Sequence, residues 1–170
     1  MEVIIWVAVV VALAALCWWA VSSFVWRRET HSRVDALHAA HPAALITSAQ
    51  VAAVTHRALK RIAKADGGAF RRTGPYYSVV VVPGSLRLVA RGATPLTVAE
   101  FNSEDVRDGS IGKTSWVFAD YTTLFLGIRA GETTFDLPIR INGPLETSLF
   151  PASEKWAIDR WAQIETALRG

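Results

Sequence analysis

The stretch whose spacing most suggests phosphate chemistry is Gly109-Ser110-Ile111-Gly112-Lys113-Thr114, which closes as a phosphate-binding loop closes. Such a loop aims backbone N–H groups at phosphates from the start of a helix, with the lysine on the terminal oxygens. Its first glycine would fall at 107, where Arg107 stands, and the flanking segments have the composition of strands. A Gly/Ser connection between two strands accounts for the same residues. The four histidines, His31, His38, His41 and His56, all precede residue 57, and His38 and His41 lie three apart, a spacing that sets two imidazoles on one helix face. A metal needs further ligands, and only the remote Asp35 is near. No serine has the context of an activated nucleophile, and every histidine lies outside the segment that would hold a pocket. Glu100, Glu104, Asp105 and Asp108 bracket a strand end, where a solvated turn explains them better than paired-carboxylate catalysis. The expectation is a non-enzyme with no catalytic residue, metal or cofactor.

The element that must position everything else is N-terminal. Between Glu2 and Arg27 there is no charged side chain, and the polar groups from Val3 to Trp26 are Cys17, Ser22 and Ser23. At about 1.5 Å per residue this stretch is long enough as a helix to cross a hydrocarbon core of roughly 30 Å. A cleavable secretory signal would begin with positive charge, whereas this start is acidic. Ala12-Leu13-Ala14 and Ala20-Val21-Ser22 have the small-x-small form of cleavage sites, but Trp18, Trp19 and Trp26 fit an interfacial aromatic belt, with Trp6 at the other end. Cys17 follows Leu16, too large for a lipoprotein site, and as the single cysteine it rules out an internal disulfide. Arg27, Arg28 and Arg33 follow the span and no Lys or Arg precedes it, so the positive-inside rule predicts an inner-membrane protein with its N-terminus outside and its bulk cytoplasmic. The anchor is assigned to residues 1–28.

Residues 29–72 are expected to form a helical, basic juxtamembrane stalk. From 27 to 72 there are nine Lys or Arg against three acids, a net of +6, while 73–170 carries nine against eleven. Such a segment is attracted to the anionic inner leaflet, at roughly 1 kcal/mol per cation, and needs no nucleic acid to explain it. Glu29 to His41 can prolong the membrane helix until Pro42 stops it. Thr47-Ser48-Ala49-Gln50 has the form of a capping box, after which Val51, Val54, Ala58 and Ile62 recur at helical spacing up to Gly67-Gly68. Arg57, Lys60, Arg61 and Lys64 fill the other faces and are the candidate lipid- or partner-binding residues. The helix either packs its apolar face on the neighbouring domain or lies on the bilayer.

Residues 73–170 change to β-branched and aromatic runs between turn signals. Strands are expected at 76–82, 85–91, 96–101, 115–119, 121–129 and 133–139. Leu86, Leu88 and Ala90 alternate with Arg87, Val89 and Arg91, as in a strand with one covered face. Ala130-Gly131-Glu132 suits a tight hairpin, while Pro83-Gly84 suggests a wider connection. Trp116, Phe118, Tyr121, Phe125 and Phe135 concentrate aromatic area, mostly as core. Pro151-Ala152-Ser153-Glu154 starts a closing helix with Ala157, Trp161, Ile164 and Leu168 on one face.

This order, with Leu86-Arg87-Leu88 leading through Gly92 and Pro95 to Val98-Ala99-Glu100-Phe101, then Asp105-Val106, Leu124-Phe125-Leu126-Gly127-Ile128 and a Trp-bearing helix, resembles pleckstrin-homology-like domains of the bacterial membrane-anchored type. The resemblance covers residues 73–169 and implies an antiparallel β-sandwich or barrel closed by a C-terminal helix, acting as a scaffold or interaction domain. Six strands are counted against the family's usual seven, and the Lys/Arg cluster with which some members hold phosphoinositides is missing around Pro83 to Arg91. The expected function is a non-enzymatic adaptor, scaffold or accessory subunit that positions a membrane-protein partner. The alternative is a lipid- or small-ligand-binding module in envelope transport, which requires a cavity lined by the strand aromatics.

Overall fold

The computed structural model describes residues 2–116 and 119–170. An unbroken helix, α1 (Glu2–Ala40), is long and apolar enough in its first part to cross a membrane, and that part is not covered by any other described residue. Past Trp26 its environment changes. Thr30, Arg33, Val34 and Leu37 are buried, and their i, i+3, i+4, i+7 spacing makes one face.

That face lies on a sheet. The strands β1 (Leu45–Gln50), β2 (Tyr76–Val82), β3 (Ser85–Ala90), β4 (Leu96–Asn102), β5 (Val106–Trp116), β6 (Ala119–Ala130) and β7 (Thr133–Ile141) form one antiparallel sheet in the order β4-β3-β2-β1-β7-β6-β5. Its edges, β4 and β5, do not pair with each other, so the sheet is open. The helix α2 (Ala53–Ala65) packs mainly on β7, and α3 (Glu154–Arg169) reaches β1, β2, β5 and β6.

The inner face of β2 and β3 presents Tyr77, Val79, Val81, Leu86 and Leu88 to the main core, which Leu59 and Ile62 of α2 and Ile164 and Leu168 of α3 complete. The outer face presents Ile46, Val80 and Val89 to Val34 and Leu37 of α1. Both faces are therefore covered, which is why β2 reads as a continuous apolar run without alternation. It is also why Val89 is buried where a strand with one covered face would expose it.

Three expectations are corrected here. Thr47 to Gln50 do not cap a helix. They lie in β1, pairing with β2 from Leu45↔Val81 to Gln50↔Tyr76 and with β7 at Ala49↔Ile141 and Gln50↔Arg140. The Thr47 hydroxyl expected to cap is taken up elsewhere, with Thr47 Oγ1 accepting from Arg160 Nε at 2.6 Å, and the neighbouring Ser48 Oγ accepts from Asn142 Nδ2 at 3.2 Å. This strand is the seventh, and it lies before residue 73. Residues 109–114 do not form a loop; they lie in β5, paired with β6 from Gly109↔Leu126 to Trp116↔Ala119, beyond a register shift between Val106 and Gly109. Pro83-Gly84 closes tightly, with Val82 paired to Ser85 and Gly84 at φ +83. The turn is braced from outside, since Gly84 N donates to Leu168 O and Ser103 N donates to Gly84 O.

The Gly131 hairpin forms as expected, with Ala130↔Thr133 closing around Gly131 at φ +59. The closing helix starts where Ser153 Oγ accepts from Trp156 N at 3.3 Å, and it buries Ala157, Ile164 and Leu168.

Arg33 is the polar anchor of the α1 contact. It is 1 % exposed, and donates from Nε to Ser78 Oγ at 2.9 Å, from Nη1 to Arg91 O at 2.9 Å and from Nη2 to Thr30 Oγ1 at 3.3 Å. Replacing Arg33 by Met leaves the buried hydroxyls of Thr30 and Ser78 without this donor and should cost about 2–4 kcal/mol. Thermal unfolding in detergent measures the loss, and hydrogen exchange should show amides 30–40 opening first. Unchanged stability together with unchanged protection over 30–40 would refute the role given to Arg33.

Candidate functional site

The residues with sequence signatures of chemistry do not converge. Gly109 and Gly112 lie in β5, and each makes room for a ring: a Cβ on Gly109 would stand 2.3 Å from the Trp161 indole, and one on Gly112 3.0 Å from Phe125. The glycines serve packing, and no helix begins behind them. His38 Nε2 meets Glu146 Oε2 at 2.6 Å and His56 Nε2 meets Thr73 Oγ1 at 2.9 Å, so the two are held by different partners. Burial, then the charge of Arg72, holds the His56 imidazole below its usual range, opposed by its contact with Thr73. No cluster of three metal-ligating side chains forms among the described residues. Glu100 pairs with Arg87 at 2.8 Å across β3 and β4, and Asp105 pairs with Arg129 at 2.9 Å. These two acids brace strands.

The candidate binding residues Arg57, Lys60, Arg61 and Lys64 are all exposed on α2. The helix packs through Thr55, Ala58, Leu59 and Ile62, so Ala58 and Ile62 of the expected line are buried, while Thr55 takes the place of Val54, which is exposed. It therefore packs on the domain. Arg57 and Arg61 border a shallow groove with Phe125, Phe135 and Asp136. Ala53 and Val54 stand near Trp26, whereas Ala65 reaches the Gly131 turn at the far end of the sheet. The cations thus form a row running away from α1 over about 10 Å.

A concavity of about 850 Å3 opens where α1 leaves the sheet. Trp19 and Trp26 form the α1 side, Gln50 and Tyr76 the strand side with Val51 to Val54 leading into α2, Thr114, Tyr121 and Arg140 the floor, and Leu149 to Pro151 the loop side. The Trp26 ring packs at 5.5 Å from that of Tyr76. Arg140 is held firmly: Nε donates to Thr114 Oγ1 at 2.7 Å, Nη2 donates to Ser115 O at 3.1 Å, and the guanidinium lies 4.7 Å from the centre of the Tyr121 ring. Thr114 is steadied in turn by Thr123 at 2.7 Å. Burial lowers the Arg140 pKa from its usual value, while Tyr121 and Tyr77 oppose the shift. The group stays charged at neutral pH. Burial drives the Tyr77 hydroxyl up, and this hydroxyl has no hydrogen-bond partner among the described residues.

Of the groove's polar residues, only Thr114 belongs to a stretch with a sequence signature of chemistry, as the last residue of the phosphate-loop-like run. Tyr121 was counted in the aromatic cluster as core, and it is half-buried beneath Arg140. Phe118, from the same cluster, lies outside the described residues, as does Val117. A usable signal was Arg140 itself, the single charge in Leu137-Pro138-Ile139-Arg140-Ile141. Phe150, an aromatic between turn residues, was another. No family model, curated protein or solved structure matches this chain.

If Gly109 serves Trp161, Gly109→Ala should destabilise the protein by about 1–3 kcal/mol through overpacking. The same change in a Trp161→Leu background should cost far less, a non-additivity that a double-mutant cycle of chemical denaturation measures. Equal costs in both backgrounds would contradict this assignment.

Proposed function

We propose that the chain is a single-pass inner-membrane protein, with its N-terminus outside and its sheet domain cytoplasmic, serving as a non-enzymatic adaptor, scaffold or accessory subunit that positions a membrane-protein partner. The observation that carries this reading is the continuity of α1, which passes without a break from exposed apolar turns into a face buried on the sheet and pinned by Arg33. A domain fixed in this way presents its surface at one height and one rotation relative to the bilayer. An apolar surface as extensive as that of α1 exceeds what a soluble monomer leaves exposed, and a bilayer would cover it. Arg27 and Arg28 stand exposed at its foot, as a cytoplasmic flank requires.

The row Arg57, Lys60, Arg61 and Lys64 offers a surface for acidic groups of the partner or for anionic lipid. The strand order, with two antiparallel halves meeting at β1 and β7 and a Trp-bearing helix across them, supports the pleckstrin-homology-like reading and the scaffold role it implies. The lipid- or small-ligand-binding alternative is favoured by one observation, the groove floored by Tyr121 and Arg140.

Mild cross-linking in cells, detergent solubilisation and mass spectrometry of the co-purifying proteins test the adaptor reading. A stoichiometric membrane-protein partner is expected, and it should be lost when Arg57, Lys60, Arg61 and Lys64 are all changed to Glu. Recovery of the chain alone with bound lipid would sink the adaptor reading in favour of the alternative. Cleavage of the sheet domain by protease added outside intact spheroplasts would overturn the topology.

A further inference from the structure

The groove beside α1 has a specific chemistry, and its reading rests on the proposal that α1 spans a bilayer. We infer that it holds one anionic membrane phospholipid, with an acyl chain against Trp19, Trp26 and Phe150 and the phosphate at Arg140.

Height is the first argument. Leu149 and Phe150 share a concavity of about 390 Å3 with Trp19, Ser23, Phe24, Trp26 and Arg27, next to the larger groove. These helix residues form the last apolar turns of the span and its first flanking charge. Phe150 is 70 % exposed, yet its backbone is fixed, with Phe150 O accepting from Gly143 N at 2.7 Å and Phe150 N donating to Ser148 Oγ at 3.3 Å. A phenylalanine held rigidly in the open beside Trp19 and Phe24 faces acyl chains if α1 is in a membrane. The helix side of the groove consists of tryptophans suited to the interface between chains and headgroups.

Charge is the second. Arg140 is 4 % exposed, and its hydrogen bonds go to a hydroxyl and a carbonyl. No carboxylate forms an ion pair with it among the described residues. A buried cation with neutral partners remains uncompensated, and a phosphate supplies both the opposite charge and charge-assisted hydrogen bonds. The groove's size falls in the range of small-molecule sites, roughly 300–1,000 Å3. Free phosphate would satisfy Arg140 but would leave the apolar side at Phe150 without a role, so the lipid is the occupant that uses the whole groove.

The test uses the full chain in vesicles of phosphatidylcholine containing a minority of phosphatidylglycerol with photoactivatable acyl chains, and labelled residues are mapped by mass spectrometry. Two sets of labels are expected, one along residues 3–26 and one at Leu149 and Phe150. Arg140→Gln should lower the second set on the order of tenfold relative to the first, and Arg140→Lys should restore part of it. Phe150→Ser, at a position too exposed to threaten folding, should lower labelling at Leu149 while leaving the helix set unchanged. Labels on the helix alone, or a second set indifferent to both Arg140→Gln and Phe150→Ser, overturn the inference while leaving the spanning helix in place. Absence of labels on residues 3–26 overturns the spanning reading and this inference with it. Loss of the second set on adding inorganic phosphate also overturns it, assigning Arg140 to a soluble anion.

Discussion

The buried guanidinium of Arg33 is the constraint on which the rest of the arrangement depends. An arginine cannot shed its charge to enter an apolar contact, so its donors must find acceptors. Here the acceptors come from three places at once: Thr30 on the same helix, Ser78 on β2 and the carbonyl of Arg91 after β3. Arg91 itself sits at φ 68, the left-handed region that costs a non-glycine residue roughly 1–2 kcal/mol. Apolar contact between Val34, Leu37, Ile46, Val80 and Val89 supplies attraction without direction. The fork of Arg33 supplies the direction, fixing how far α1 is rotated and which of its residues stand over the sheet. The position of Trp19 and Trp26 as one side of the groove follows from that registration.

The same solution recurs at two other places where the sheet would leave polar groups unpaired. Arg160 of α3 donates to Thr47 Oγ1 and to the Ile46 carbonyl, where β1 and β7 share only two paired positions and then part. Arg140 donates to Thr114 Oγ1 and the Ser115 carbonyl at the other end of that seam. Each of these arginines takes one hydroxyl and one backbone carbonyl, to which Arg160 adds the Gln163 side-chain oxygen, a combination that suits a planar fork and that a lysine ammonium cannot reproduce as a pair. Burial lowers the pKa of both Arg140 and Arg160, but Arg160 has Glu146 as a countercharge, whereas the partners of Arg140 among the described residues are a hydroxyl, a carbonyl and the Tyr121 ring. Both arginines brace the seam, and that difference in countercharge is what suits Arg140, and not Arg160, to the anion inferred above.

Much of the architecture was legible because its signals are local. The apolar span, the Gly131 hairpin, the strands from Tyr76 to Asn102 and the closing helix all follow from composition, turn chemistry and spacing. β1 was not legible, since Leu45-Ile46-Thr47-Ser48-Ala49-Gln50 carries a good helix-start pattern and becomes a strand only because two distant strands flank it. β5 was hidden by its glycines, which look like loop until Trp161 and Phe125 are seen lying on them. The groove was the least legible part. It gathers Trp19, Gln50, Tyr76, Tyr121, Arg140 and Phe150 from six separate segments, and no periodicity within one segment announces such a meeting.

Charge shows most clearly how placement revises composition. The nine cations of residues 27–72 suggest a single basic patch at the foot of the helix, yet the fold disperses them. Arg33 is buried against β2, and the α2 row runs toward the far end of the sheet. Arg27 and Arg28 remain exposed beside the apolar turns. The cation that lines the groove next to Trp26 is Arg140, contributed by the half of the chain with excess acid. Attraction to anionic headgroups falls off within about 10 Å in physiological salt, so the distance of each cation from the helix foot matters more than the segment total. By that measure Arg27, Arg28 and Arg140 lie nearest the helix foot, where the proposed bilayer would act on them, and the α2 row runs away from it.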